Sequence, residues 1–381
     1  MDTLSLLDRL ISFDTTSARS NLPLIGFVED YLKARGFRVT RLPDATGEKA
    51  GLFAVLGPEG HGVMLSAHTD VVPVAGQVWH RDPFRLTREG DRLYGRGTTD
   101  MKGYLASMLA LADRAAKAPL KEPLKLAISY DEEIGCVGIR SMIGALPEAL
   151  GTPRVCFVGE PTEMQVAIGH KGKAAFEAVC HGESGHSALA PRFVNALHLA
   201  AEFVTELRGI QDHYAQNGAR DPAYDVPYTT IHVGTLSGGT ALNIVPDRAE
   251  LRFEYRHLAA DPAEEIAARI RDAAAQVTAR FATQSPQARV EVTQVNAYPG
   301  LDQQEDAEIV TLAKGLAQSN AVTKVAFGTE AGYFQGLGIP TVVCGPGSME
   351  DQGHKPDEYV TLPQLAACDA MMDRILVSLT A

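Results

Sequence analysis

Three short apolar runs in this chain break off into residues that can bind metal or move protons. Val63-Met64-Leu65-Ser66 leads into Ala67-His68-Thr69-Asp70, Leu126-Ala127-Ile128-Ser129-Tyr130 into Asp131-Glu132-Glu133, and Val155-Cys156-Phe157-Val158 into Gly159-Glu160-Pro161-Thr162. Two further segments carry the same residue types. Gly95-Arg96-Gly97-Thr98-Thr99-Asp100-Met101-Lys102-Gly103 precedes a helical pattern, and Gly345-Pro346-Gly347-Ser348 leads to His354. Imidazole and carboxylate donors without thiolates suit Zn²⁺, or Co²⁺ and Mn²⁺, in a hydrolytic site. Two histidines with several carboxylates exceed what one catalytic zinc takes, so two metals are expected. His68 and Asp70 stand two residues apart at a strand end, where a carboxylate can hold the second ring nitrogen of a histidine ligand. Any one of these residues alone reads as a turn, a cap or solvated loop charge. Their joint placement after successive strands carries the expectation.

The elements that must position them alternate. Leu4, Leu7, Leu10 and Ile11 recur at helical spacing, as do Ile25, Val28, Tyr31 and Leu32. Between helical stretches lie apolar runs of strand length, which predicts an α/β fold with a mostly parallel mixed sheet flanked by helices. Open sheets of this kind bind ligands beyond the carboxyl ends of their strands. The middle of the chain is patterned differently. Residues 174–180, 229–235, 249–257 and 289–295 alternate apolar and polar side chains, with Leu251, Phe253 and Tyr255 facing one way and Arg252, Glu254 and Arg256 the other. Two helical stretches, opening at Pro191 and Pro262, interleave them in the order β-α-β-β-α-β, the ferredoxin-like arrangement. The expected organisation is a catalytic domain over 1–172 and 298–381, interrupted by an α+β lid or dimerisation domain over 173–297.

Acidic residues outnumber basic ones 47 to 35, a formal charge of −12, which makes the chain a poor candidate for holding nucleic acid or an anionic membrane by bulk electrostatics. No apolar run reaches the ~18 residues of a membrane helix, and Met1-Asp2-Thr3-Leu4 has no secretory character. Five cysteines, odd in number and without a Cys-x-x-Cys pair, read as reduced core thiols of a cytoplasmic protein. There is no Walker A lysine motif, Gly-x-Ser-x-Gly elbow or His-Glu-x-x-His. Residues 79–84, Trp79-His80-Arg81-Asp82-Pro83-Phe84, read as a structural loop, and His80, His170 and His181 have no support as ligands.

The quoted segments, together with His354-Lys355-Pro356-Asp357-Glu358-Tyr359, resemble the dizinc amidohydrolases over nearly the whole chain. That family comprises acetylornithine deacetylase, succinyl-diaminopimelate desuccinylase, aminoacylases and glutamate carboxypeptidases. Phe327-Gly328-Thr329-Glu330-Ala331 is most similar to its acetylornithine-cleaving branch; desuccinylases usually carry Ser-Asp where Thr329-Glu330 stands. The resemblance implies two Zn²⁺ per subunit, with Asp100 bridging, His68 and Glu160 on one metal, and Glu133 and His354 on the other. It implies Glu132 as general base and Asp70 as the residue orienting His68. In the insert it implies that His186 reaches across a homodimer into the partner's site, and that Asn243 and Arg256 hold a substrate carboxylate. The implied substrate is a small N-acyl amino acid whose amide is hydrolysed, with Glu330 expected to meet a distal ammonium group. Neither nucleic acid nor membrane is expected as a partner.

Overall fold

The apolar runs form strands whose burial follows their patterning. In the computed structural model, which describes residues 1–381, they are β1 (Arg38–Pro43), β2 (Ala50–Leu56), β3 (Val63–His68), β4 (Leu124–Ser129), β5 (Val155–Val158) and β6 (Val166–His170). The middle of the chain supplies β7 (Gly172–His181), β8 (Thr230–Gly238), β9 (Arg248–His257) and β10 (Arg289–Tyr298), after which come β11 (Leu301–Asp302), β12 (Val322–Val325) and β13 (Thr341–Val343). The chain divides into two units, Met1–His170 with Leu301–Ala381, and Lys171–Gly300.

The first unit is built on a nine-stranded mixed sheet in the order β1-β2-β4-β3-β5-β13-β6-β11, with β12 also pairing β6. Its centre is parallel: β3 pairs β4 and β5, and β5 pairs β13, all in the same direction. Strands β3, β4 and β5 are buried along their full length, as expected of a sheet covered on both faces. The helix Lys102–Ala115 is apolar nearly all round, a pattern that suits an element enclosed on every side. It packs on β3 and on the helices Thr3–Ile11 and Leu362–Thr380. Its first residue follows the Asp100 loop directly, so burying the helix also anchors that loop.

The second unit is an antiparallel sheet in the order β8-β9-β7-β10 with two helices packed against it. Ala249, Leu251, Phe253 and Tyr255 turn to the helices while Arg248, Glu250 and Arg252 stay in solvent. Phe253 lies opposite Phe176 on β7 and stacks on it at 5.2 Å between centroids, and Phe203 from the first helix meets Phe253 edge-on at 5.7 Å. The start of the first helix departs from the sequence expectation. The first helix begins at Ala196, not at Pro191, because Asn195 Oδ1 accepts the Leu197 amide at 2.8 Å and caps it there. Pro191 falls instead in a 3₁₀ segment, Ser187–Arg192.

Candidate dinuclear metal centre

Parallel pairing of β3 with its two neighbours lines up three carboxyl ends. His68, the last residue of β3, pairs with Ser129 of β4, and Ser66 pairs with Val158 of β5. Glu132 and Glu133 follow β4, and Glu160 lies two residues beyond β5. The Glu160 turn is closely packed. A Cβ at Gly159 would stand 2.0 Å from the Tyr104 ring, and one at Gly345 would stand 2.1 Å from the Gly159 carbonyl oxygen. Only glycine at both positions lets the two loops close together beneath the ligands.

The donor atoms converge in two groups that share Asp100. His68, Asp100 and Glu160 form one; Asp100, Glu133 and His354 form the other; in each the ligand atoms lie within 4.8 Å of one another. The two oxygens of Asp100 divide between them. Oδ1 is 3.0 Å from His68 Nε2, and Oδ2 is 3.0 Å from His354 Nε2. His68 Nε2 also lies 3.6 Å from Glu160 Oε1, and His354 Nε2 lies 3.0 Å from Glu133 Oε2.

The tautomer of His68 follows from its partners. Its Nδ1 is 3.0 Å from the main-chain oxygen of Asp70, an atom that can only accept, so Nδ1 carries the proton. In the neutral ring the Nε2 lone pair then faces the carboxylates of Asp100 and Glu160. That contact is repulsive unless a proton or a cation stands between them. Asp70 therefore orients His68 chiefly through its carbonyl, with its carboxylate at 3.5 Å. Oε1 of Glu133 and Oε1 of Glu160 are buried and accept no hydrogen bond, as suits oxygens that fit a metal.

The same crowding shifts the proton affinities of these groups. Burial would lower the pKa of His68, but Glu160 and Asp100 outweigh it and raise it well above the ordinary imidazole value. His354 is likewise pushed up to about 10 against its burial by hydrogen bonds to Asp100 and Glu133. Burial and the charge of Asp100 push Glu133 up to about 8 and Glu160 up to about 7. Glu132 is raised well above the usual carboxylate range, first by burial and then by Glu160. Carboxylates crowded to this degree form a site for dications.

Residues 64–378 match the family described as Peptidase family M20/M25/M40. The chain is 34% identical over 377 residues to an acetylornithine deacetylase of Myxococcus xanthus, covering 97% of this chain and 95% of that one. This chain belongs to peptidase family M20/M25/M40. An acetylornithine deacetylase of Proteus mirabilis is 32% identical over 369 residues, covering 95% and 91%. Among solved structures the fold is similar to an M20 family metallo-carboxypeptidase of Sulfolobus solfataricus, with TM-score 0.79, 19% identity and 99% of each chain covered. It is also similar to a dinuclear metal binding peptidase of the M20 family from Bacillus subtilis, with TM-score 0.68, 16% identity and coverage of 99% and 97%. As an M20 protein this chain is a metal-dependent amide hydrolase acting on small molecules, and no helix in it is long and apolar enough to cross a membrane.

The remaining expected residues of the M20 chain fall in two places. His186, Asn243 and Arg256 lie in the Lys171–Gly300 unit. His186 and Asn243 belong to one small module: His186 pairs with Ile244 in a two-stranded ladder, and the Ser187 amide donates to the Asn243 carbonyl at 3.0 Å. His186 Nδ1 accepts the Ala188 amide at 3.1 Å, so the neutral ring carries its proton on Nε2, free to donate. Arg256, half-buried, meets Glu254 at 2.9 Å. Glu330 immediately precedes the short helix Ala331–Gly336 in the first unit, makes no side-chain cap bond to it, and is only 1% exposed. Ser66 Oγ donates to its Oε2 at 3.4 Å and its Oε1 has no hydrogen bond, so it stands beneath the strand ends and not on an open surface.

Four supporting residues escaped the sequence reading. Glu358 and Arg96 form a fully buried ion pair at 2.6 Å behind the Asp100 loop. Ser17 donates to Asp70 Oδ2 at 2.7 Å, and Cys136 Sγ donates to Glu132 Oε1 at 3.3 Å. Both members of the ion pair stood inside motifs already singled out, and an arginine beside glycines next to a ligand loop was the available signal. Nothing in the local sequence marks Ser17 or Cys136.

Proposed function

We propose that this M20 enzyme hydrolyses N2-acetyl-L-ornithine to acetate and L-ornithine, a step of arginine biosynthesis in the cytoplasm, with Zn²⁺ at both metal positions. The observation that carries the reading is identity of 32–34% to acetylornithine deacetylases across at least 95% of this chain. Thr329-Glu330, where desuccinylases usually have Ser-Asp, points the same way.

In this reading His68, Asp100 and Glu160 would hold one metal, and Asp100, Glu133 and His354 the other. Metals bound there would supply Lewis acidity toward the amide carbonyl and the attacking water. Glu132, a buried carboxylate that is in neither ligand group, takes the proton of the attacking water. It then delivers that proton to the amine nitrogen as the C–N bond breaks. The Cys136 thiol holds the carboxylate in one orientation for both transfers. Charge that develops on the carbonyl oxygen needs a donor, and the Nε2–H of His186 is free to supply it. Arg256 and Asn243 hold the α-carboxylate, Arg256 by a two-point contact. The uncommitted Oε1 of Glu330 is the acceptor for the distal ammonium group.

We further infer that the chain works as a homodimer through its inserted unit, with His186 acting in the partner's site. Strand β8 lies at a sheet edge, and Leu189, Leu236, Leu242 and Ile244 are exposed apolar side chains of the same unit.

The test is acetate release from N-acetyl-L-ornithine, with N-succinyl-diaminopimelate and N-acetyl-L-methionine alongside, in added Zn²⁺ or Co²⁺ and in chelator. Chelator-sensitive turnover favouring acetylornithine is the expected result. Preference for another amide discards the substrate while keeping the chemistry. Glu330→Gln should raise KM for acetylornithine far more than for acetylmethionine; equal effects remove Glu330 from the substrate contacts.

A further inference from the structure

We infer that Glu358 is a positioning residue for the second metal position, the group formed by Asp100, Glu133 and His354. The inference rests on the two-metal reading above and assigns the residue that decides whether its second position forms. Glu358 is 1% exposed, and each of its oxygens has a separate task. Oε1 accepts three main-chain amides of the ligand loop: Gly97 at 3.1 Å, Thr99 at 2.9 Å and Asp100 itself at 3.1 Å. Oε2 accepts Arg96 Nη1 at 2.6 Å. Gly97, at φ +89°, permits the turn that wraps the loop around a single oxygen.

Arg96 carries the constraint to the other ligand. It is itself fully buried, and its Nη2 donates to Gln77 Oε1. Gln77 Nε2 in turn donates to the main-chain oxygen of His354 at 3.0 Å, and Arg96 Nη1 reaches the Lys355 carbonyl at 3.4 Å. A continuous chain of hydrogen bonds thus runs from the Asp100 amide through Glu358, Arg96 and Gln77 to the His354 carbonyl. The side chains of the same two residues meet at 3.0 Å, Oδ2 to Nε2, where the metal would be held.

The two metal positions differ in how much they need this chain. His68 ends a strand paired on both sides, and Glu160 lies just beyond another, so the parallel ladder holds their backbones. His354 lies on a connection outside the sheet at φ +60°, and Asp100 on a loop. Glutamine cannot replace Glu358. An amide offers one accepting oxygen, so its NH₂ would face either the guanidinium or three amide protons, donor against donor.

The test titrates chelator-stripped full-length chain with Co²⁺, read by visible absorption and metal analysis. Wild type should take two equivalents. Glu358→Gln should bind the second at least about ten-fold more weakly with a shifted absorption band, and weaken the first, which also uses Asp100, by a clearly smaller factor; equal weakening of both overturns the inference. Gln77→Ala, at a half-buried position, should weaken the second equivalent in the same direction by a smaller factor. If Glu358→Gln melts at the wild-type temperature and takes both equivalents unchanged, the inference is overturned. If Glu358→Gln does not fold, Gln77→Ala decides, and an unchanged second equivalent in it overturns the inference. A wild-type chain that takes only one equivalent overturns the two-metal reading, and this inference with it.

Discussion

Asp70 Oδ1 accepts the main-chain amide of Glu132 at 3.0 Å. The same carboxylate accepts the Glu133 amide at 3.2 Å and the Ser17 hydroxyl at 2.7 Å, while the Asp70 carbonyl fixes His68. One buried side chain therefore aligns the backbone of the proposed base and of one ligand, and its main chain aligns a second ligand. Asp70→Asn keeps the shape but has a single accepting oxygen. It should lower kcat/KM for an N-acyl amino acid by about 10–100-fold and weaken metal binding. Steady-state kinetics with metal analysis would check this; a change in KM alone would be the wrong outcome.

Glu132→Gln should separate binding from chemistry. Glu132 is in neither ligand group, so metal content should stay at the wild-type value. Turnover should fall by about 10²–10⁴-fold, the usual contribution of a positioned base. Loss of metal in this variant would argue that Glu132 is a ligand.

Metal removal should cost stability as well as activity. Burial and the Asp100 charge push Glu133 up to about 8 and Glu160 up to about 7, so dications relieve carboxylates that are costly to ionise. A ligand present at 100 times its Kd stabilises the folded state by about 2.7 kcal/mol per position. Chelator-treated protein should melt several degrees lower than the metal-loaded form and recover on adding metal. Calorimetry of the two forms decides.

Glu330 gives the metal-free protein a pH dependence with a definite sign. Burial pushes its pKa up to about 7, against an ordinary value of 4.5. A carboxyl raised in the folded state stabilises fully below its unfolded pKa, and that contribution is lost as pH rises through 7. The difference between the two pKa values corresponds to about 3 kcal/mol. Glu330→Gln in chelator should therefore gain melting temperature relative to wild type between pH 5 and pH 8. A difference that does not change with pH would mean the carboxyl is ionised throughout.

Residue type and order made the candidate ligands legible. His68, Glu133 and Glu160 could be read as part of a metal set because each stood just past an apolar run, and parallel strands bring such ends together. The insert was legible for the same reason, since alternation at Leu251, Phe253 and Tyr255 declares a half-exposed sheet. Helix starts were less so. Pro191 and Asn195 both look like helix openers, and only the accepted Leu197 amide chose between them.

What the sequence determined by itself was local: which residues carry lone pairs, which runs must be buried, and where the two patterns meet. Tertiary structure decided which atom of each residue is used. Asp70 orients His68 with its carbonyl and spends its carboxylate on Glu132 and Glu133, a choice invisible in the order of letters. Arg96 and Glu358 stand 262 positions apart and become one buried pair. Neither charge could enter the interior alone, so their partnership exists only once the chain has brought them together.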